Sequence, residues 1–182
     1  SGRRTYRPSN RLIVSSMTLA VCTPCGARVE DSTMPAHAYV PASAGCWALF
    51  GSVQADEMMR FGYPPAHSIV VDAYMASHPG DGTDRREAQS LVVHLVGLCG
   101  LLERGWDGVR SRAALRTVVG HKELLPVLDP WPTPSPVNIT SMVGARDLED
   151  YDQRARTWAA QVWNAWACEH DTIRALLPSS SN

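Results

Sequence analysis

Two cysteines separated by two residues, in CTPCGA at residues 22–27, are the side chains whose types and spacing most clearly suggest chemistry. Thiolates at this spacing can bind one zinc ion from a tight turn, and a small residue after the second thiol, here Gly26, suits that turn. A redox dithiol needs a strand before the pair and a helix directly after it, whereas the following GARVEDSTMP is a poor helix. Cys22 and Cys25 therefore predict half of a zinc site, with a redox pair and unremarkable cysteines as the alternatives.

The other half of the site must come from Cys46 and the six histidines. If residues 46–60 and 67–78 form antiparallel helices that turn near residue 62, residues at the same level have numbers that add up to about 124. Cys46 and His78 meet this condition at the open end of the helix pair, where the CxxC loop arrives. His67 lies roughly 16 Å from His78 along a continuous helix, so the two histidines cannot bind one ion.

We therefore predict a metal site of three thiolates and one imidazole, made by Cys22, Cys25, Cys46 and His78. His67 replaces His78 if the second helix breaks early or if the loop packs at its other end. A helix-capping role is the alternative for His78 without a metal. Four protein ligands leave no coordination position for water, which is the arrangement of a structural zinc. On this reasoning the zinc is scaffolding, and any catalytic chemistry lies elsewhere.

Asp72 and His94 are the candidates for acid–base chemistry. Asp72 lies in the apolar run IVVDAYM, and a carboxylate buried there without a partner would cost several kcal/mol. In a second hairpin that turns near residue 82, His94 in LVVHLVGL comes close to Asp72. Such a pair can act as a general acid–base unit, and it can equally be a buried polar tie.

Other polar and aromatic residues extend this candidate pocket. By the same pairing rule, Glu57 and His67 lie at one level of the first helix pair and form a polar extension or a surface pair. The predicted walls of a small-molecule pocket are Tyr74, Trp158, Trp166 and His170. Core packing is the alternative for this set, because large aromatic side chains dominate many cores.

Helical periodicity surrounds these residues and must position them. Amphipathic or apolar patterns predict helices over residues 46–61, 67–78, 85–104, 108–119 and 150–177. Gly and Pro residues after the first three segments are typical helix stops. Since no alternating strand pair and no internal repeat is evident, we predict an all-α fold, a single-domain helical bundle with an N-terminal zinc-knuckle segment.

The stretch from Pro126 to Pro136 contains five prolines. Such a run excludes a helix or a central strand, and it predicts a Pro-rich strap that crosses the bundle before the last helix, with a linker as the alternative. The predicted zinc-binding domain spans residues 17–178. A flexible basic extension at 1–16 and a disordered tail at 179–182 flank it.

The amino-acid composition indicates a cellular compartment and the kinds of partner. A net charge of −1 and a pI near 6.6 argue against nucleic acid as a partner, except for a weak basic arm made by Arg3, Arg4, Arg7 and Arg11. No run approaches the ~18 apolar residues of a membrane span. Of the five cysteines, Cys99 and Cys168 lie in apolar helical patterns, which favours buried free thiols in a reducing, cytoplasmic compartment. The sequence is also compatible with a homodimer.

The segments HSIVVDAYMASHPG and SLVVHLVGLCGLLERGWDG resemble an uncharacterised bacterial family, the domain-of-unknown-function family numbered 5946. Its members have an N-terminal CxxCG, a later Cys before a helix, a VDAY…QHP segment, a HLVGLY…E-G helix and a Trp-rich C-terminal helix. The resemblance covers roughly residues 20–177 and carries over Cys22, Cys25, Gly26, Asp72, Tyr74, His78, Pro79, Leu95, Gly97 and Glu103. Ser77 stands where Gln is usual, and Cys99 where Tyr is common. The resemblance supports a metal site and implies no activity.

Two functions are consistent with these residues. The first is a zinc-stabilised small-molecule enzyme in which Asp72 is the acid–base or orienting carboxylate and His94 shuttles the proton. The second is a non-enzymatic binding or regulatory module whose zinc holds the N-terminal segment onto the bundle. A cavity of about a few hundred Å³ open to Asp72 would favour the enzyme. A looser likeness in architecture to DinB-type bundles adds an open metal site at His67, His94 and His170 as a further arrangement, although the HxxxH pair of those proteins is absent.

Overall fold

The computed structural model describes residues 18–128 and 134–177. Within these residues the chain forms one helical domain with six α-helices and a two-stranded sheet. In chain order the elements are β1 (Leu19–Val21), β2 (Arg28–Glu30), α1 (Ala44–Phe61), α2 (Ala66–Ala76), α3 (Arg85–Glu103), α4 (Gly108–Gly120), α5 (Leu148–Ala165) and α6 (His170–Ala175). The predicted single-domain helical bundle is confirmed.

The small sheet is the element that the sequence pattern did not indicate. β1 and β2 pair antiparallel, with Leu19 opposite Glu30 and Val21 opposite Arg28. The sequence showed no alternating strand pair here, because a strand of three residues is too short to show an alternation of apolar and polar side chains. The hairpin matters for the site, since its connecting loop carries the two cysteines of the CxxC motif.

Helix α2 lies at the centre of the bundle and packs most extensively against α3 and α5. Ile69, Val70, Ala73 and Tyr74 are all buried, so nearly every side of this helix faces protein. A helix that is apolar all round belongs in a core. Asp72, in the middle of this helix, is therefore buried as well.

Caps at the ends of α1 place the residues of the site. The hydroxyl of Ser43 accepts a hydrogen bond from the amide of Cys46 (3.2 Å), which starts the helix so that Cys46 lies in its first turn. At the other end Gly62 adopts a left-handed conformation with φ 62°, which costs glycine little because it has no Cβ. The chain then turns back, and α2 runs antiparallel to α1 as expected.

The prediction of one continuous helix over 150–177 is wrong. Helix α5 ends at Ala165, and a 3-10 turn at Ala167–Glu169 leads into the short α6. At the break, the indole N–H of Trp166 donates to the carbonyl of Ala76 at the end of α2 (3.2 Å). The bend lets α6 return to the bundle, where Ile173 is buried. Tertiary contacts here override the local periodicity.

Several predicted features lie outside the described residues, namely the extension at 1–16, the tail at 179–182 and residues 129–133 of the Pro-rich strap. On either side of that gap, Leu125 and Ser135 are buried. Cys99 is buried, whereas Cys168 is exposed in the 3-10 turn, contrary to its apolar sequence context. In the part of the chain that the structure describes, no helix is both long and apolar enough to cross a membrane.

Gly45 marks a close approach between α1 and the hairpin. A Cβ atom at this position would collide with the backbone carbonyl of Glu30 in β2. We expect Gly45→Ala to lower the free energy of unfolding by about 1–3 kcal/mol, because one of two backbones must move. Gly51 in the same helix has no atom within 4 Å of such a Cβ, and Gly51→Ala should raise the stability by about 0.5–1 kcal/mol. Urea unfolding measures both, and equal effects would contradict the close approach.

Candidate metal centre

The loop between β1 and β2 folds as a tight turn that points both of its thiols into the protein. The amide of Gly26 donates to the carbonyl of Cys22 (2.8 Å), and the amide of Cys22 donates to the carbonyl of Ala27 (2.9 Å). Gly26 has φ 71°, a conformation that side chains rarely adopt. The glycine after the second thiol is thus required by the turn, and Cys22 and Cys25 are both buried.

Helices α1 and α2 bring two further ligands to this turn. The Sγ atom of Cys46 lies 3.7 Å from that of Cys25 and 3.4 Å from Nε2 of His78. All four ligand atoms lie within 4.8 Å of one another, in a cluster formed by Cys22, Cys25, Cys46 and His78. We call it the Cys3His cluster. Its members are 0, 3, 0 and 4 % exposed, in that order.

Hydrogen bonds outside the cluster orient its ligand atoms. Nδ1 of His78 lies 2.7 Å from the carbonyl oxygen of Tyr74; because a carbonyl only accepts, Nδ1 carries the proton and Nε2 presents its lone pair to the cluster. The amide of Ser43 donates to Sγ of Cys22 (3.4 Å), and the hydroxyl of Tyr74 donates to Sγ of Cys46 (3.6 Å). Such second-layer contacts are typical of metal-ligating histidines and thiolates.

The thiols differ in proton affinity because they share so little space. Hydrogen bonds from Cys25 and Cys46 hold the pKa of Cys22 far below its usual range. The hydrogen bond to Cys22 raises the pKa of Cys25, and burial adds to this increase. The same partner raises the pKa of Cys46 to about 12. Thiolates this close together in a buried site repel one another. A divalent cation relieves this repulsion and allows three thiolates.

The donor set therefore fits a metal ion. Three sulfur atoms and one imidazole nitrogen, all buried and close together, could bind a metal at this position. The pairing of Cys46 with His78 follows the helix-pair rule inferred from the sequence. His67, the alternative ligand, is not in the cluster, because its Nδ1 lies 3.0 Å from Oε2 of Glu57 near the opposite end of α2.

Asp72 and His94 form a direct contact between α2 and α3. Nδ1 of His94 lies 2.8 Å from Oδ1 of Asp72. Burial raises the pKa of Asp72, and the hydrogen bond from His94 opposes that rise. A Cβ atom on Gly97 would collide with the Asp72 carboxylate, so the backbone of α3 covers it. Asp72 is 4 % exposed and lines neither the cavity beside Pro79–Thr83 nor the cavity at the N-terminal end of α2.

The four predicted wall residues have separate environments. The ring of Tyr74 stacks on Phe50 (3.9 Å between centroids) on the side of the Cys3His cluster. Trp158 is fully buried in α5. His170 stacks on Trp163 (3.9 Å). Trp166 lines a cavity beside Pro79–Thr83. A wall around Asp72 made by these residues is not supported.

Glu103 has a structural role that its sequence context did not indicate. Its two carboxylate oxygens accept hydrogen bonds from Nη2 and Nε of Arg174 (2.7 and 2.9 Å), and Oε1 also accepts from the indole of Trp163 (3.0 Å). The bond to Arg174 lowers the pKa of Glu103 to about 2. Glu103 thus ties the end of α3 to α5 and α6. Its partners lie 60 and 71 residues away in sequence, so no local pattern could have revealed them.

The sequence matches the model of a protein family over most of its length. The model of a family described as "Family of unknown function (DUF5946)" matches residues 20–167. The matched region contains all of the Cys3His cluster and both residues of the Asp72–His94 pair. No curated protein and no solved structure shows a significant match. The comparisons therefore attach no activity to either feature.

Proposed function

This chain belongs to the family of unknown function DUF5946, and from that premise we propose that it is a zinc-stabilised helical module with a binding or regulatory role. The zinc is bound by Cys22, Cys25, Cys46 and His78, and its role is structural. It joins the β1–β2 hairpin to the start of α1 and the end of α2. A small, buried, sulfur-rich set with one imidazole suits tetrahedral Zn²⁺ better than the oxygen-preferring cations.

One observation carries the proposal: all four ligand groups come from this chain, and each is at least 96 % buried. A catalytic zinc keeps a position for water or substrate, whereas four protein ligands complete the tetrahedron. Two of the sulfur atoms also accept hydrogen bonds from neighbouring groups, Cys46 from the hydroxyl of Tyr74 and Cys22 from the backbone amide of Ser43. The site therefore suits folding rather than turnover.

Metal analysis of the purified protein tests this assignment. We expect one zinc per chain by inductively coupled plasma mass spectrometry. Cobalt substituted for zinc should give the ligand-field bands of tetrahedral Co²⁺ together with a thiolate charge-transfer band, because three sulfurs bind it. Metal-free protein of unchanged stability, or a cobalt spectrum without the charge-transfer band, would contradict the proposed site.

A small-molecule enzyme is the second candidate, and the Asp72–His94 contact favours it. Asp72 would orient the imidazole, and His94, whose side chain is 21 % exposed, would transfer the proton. The covered position of Asp72 makes us prefer the module, because a substrate would need an opening at the α2–α3 interface. A cytoplasmic, reducing compartment suits either candidate, since the thiolate ligands must stay reduced.

A further inference from the structure

A cavity of about 590 Å³ opens at the N-terminal end of α2. Its walls come from the starts of α2 and α4, the end of α3 and one residue of α5. Ile69, Leu101 and Trp106 supply an apolar part, and His67 and Arg112 supply polar groups. This volume and this mixture of surfaces are typical of small-molecule sites. The cavity lies roughly 16 Å along α2 from the Cys3His cluster.

A buried carboxylate holds His67 at this cavity. The side chain of Glu57 is fully buried, and its Oε2 lies 3.0 Å from Nδ1 of His67, whose side chain is 30 % exposed. Because an ionised carboxylate only accepts, Nδ1 donates and Nε2, on the other side of the ring, is available to the cavity. The second oxygen of Glu57, Oε1, makes no hydrogen bond of good geometry within the described residues, and Tyr151 is its neighbour, since burial and then the Glu57 carboxylate raise the pKa of Tyr151. Burying a carboxylate is costly, and here its hydrogen bond orients one histidine at the edge of a cavity.

Tyr63 adds an exposed aromatic ring beside His67. Its φ is 55°, a left-handed conformation that costs about 1–3 kcal/mol for a bulky residue and often occurs at binding sites. The ring packs edge-on against His67 with 4.9 Å between centroids. It is 61 % exposed and is one of the residues that line the cavity.

Arg112 gives the cavity a positive charge without an internal counter-ion. Within residues 18–128 and 134–177 no carboxylate pairs with it, and its Nη1 atom lies over the first turn of α4 near Gly108. Asp107 is the one carboxylate among the lining residues, and it accepts from the amide of Arg110 (2.7 Å) as a helix cap. Arg156, also in the wall, is paired with an aspartate of its own helix. The N-terminus of α4 adds partial positive charge.

We propose that this cavity binds a small organic anion, with its carboxylate or phosphate group on Arg112 and Nε2 of His67 and its apolar part against Trp106. This inference supplies the ligand class for the binding role proposed above, and it requires neither zinc nor the Asp72–His94 pair. Arg112 is suited to such a group because guanidinium forms paired, charge-assisted hydrogen bonds with oxyanions. Glu57 is a positioning residue that acts through His67.

Titration calorimetry with phenyl phosphate, benzoate and the neutral benzyl alcohol tests the inference on the full, metal-loaded chain. We expect saturable binding of at least one of the two anions and much weaker binding of the alcohol. Arg112→Gln should weaken anion binding about tenfold or more, the value of one lost charged hydrogen bond. Arg116→Gln, one turn along α4 and outside the cavity lining, is the matched control and should change the affinity less than about twofold.

A nitrogen-15 NMR spectrum of the histidine rings adds a readout at the site, since the Nε2 signal of His67 should shift as the anion binds. The tighter of the two anions identifies the head group. Equal weakening by Arg112→Gln and Arg116→Gln, equal affinity for the alcohol, or no binding of either anion would overturn the inference. None of these results tests the proposed zinc site. An error in that assignment would appear only in the metal analysis.

Discussion

Replacing Cys22 with serine is expected to release the zinc and to lower the melting temperature by about 10 °C or more. In the proposed role, zinc binds the folded chain more tightly than the unfolded one, so its binding free energy adds to the stability of the fold. Loss of several kcal/mol shifts the melting temperature of a domain of this size by roughly 2–4 °C per kcal/mol. Cys25→Ser should act alike, because both thiols are buried in the same cluster. Calorimetry with metal analysis measures both effects.

Cys168→Ser provides the matched control, since this cysteine is exposed and lies outside the Cys3His cluster. It should keep its zinc and its melting temperature. Wild-type protein treated with a strong chelator should melt near the temperature of Cys22→Ser, because both lack the same ion. If Cys22→Ser retained one zinc per chain, or lost it without a change in melting, the structural role would be wrong.

Asp72→Asn is expected to lower the free energy of unfolding by about 3 kcal/mol and to leave the zinc in place. If the imidazole of His94 is protonated, the substitution removes its counter-ion, and removing one partner of a buried ion pair costs about 3–5 kcal/mol. The lower end applies because the side chain of His94 is 21 % exposed and water can partly solvate it. Since the carboxylate touches none of the residues of the Cys3His cluster, metal content should not change. Urea unfolding and metal analysis measure the two quantities.

Asp152→Asn serves as the comparison, because Asp152 makes an exposed ion pair with Arg156 on α5 (2.7 Å). Exposed pairs contribute about 0–1 kcal/mol, so this variant should stay close to wild type. An Asp72→Asn protein of unchanged stability would move Asp72 from the scaffold to an active site and favour the enzyme candidate. Zinc loss in that variant would show that the ligand set is incomplete.

The Cys3His cluster shows how much of a site can be predicted from local sequence patterns. The CxxCG spacing indicates a metal-binding turn by itself, because two thiols and a glycine at fixed offsets allow few backbone conformations. Cys46 and His78 lie 32 residues apart, yet an antiparallel helix pair with a short turn makes their separation computable from the rise per residue. The same rule relates Glu57 to His67, and Asp72 to His94. Residue pairs between adjacent helices could therefore be predicted from the sequence.

Features that depend on contacts between residues far apart in the chain could not be predicted from the sequence. The helix break at Trp166 depends on a carbonyl of α2 that is 90 residues away, and the bond from Arg174 to Glu103 spans 71 residues. The strands β1 and β2 were too short to show a period. In each case the local pattern is compatible with two structures, and a contact from elsewhere in the fold selects one.

Sequence by itself determined the helical class, most helix ends, the residues of the Cys3His cluster and the Asp72–His94 partnership, because periodicity, capping residues and helix rise are local quantities. Only the tertiary structure decided which polar side chains are exposed. It covers Asp72 with the backbone of Gly97 on α3, and it leaves His67 at a cavity that Arg112 of α4 also lines. Whether a polar residue is enclosed or reachable depends on how several helices pack around it, and no pattern within one helix contains that information.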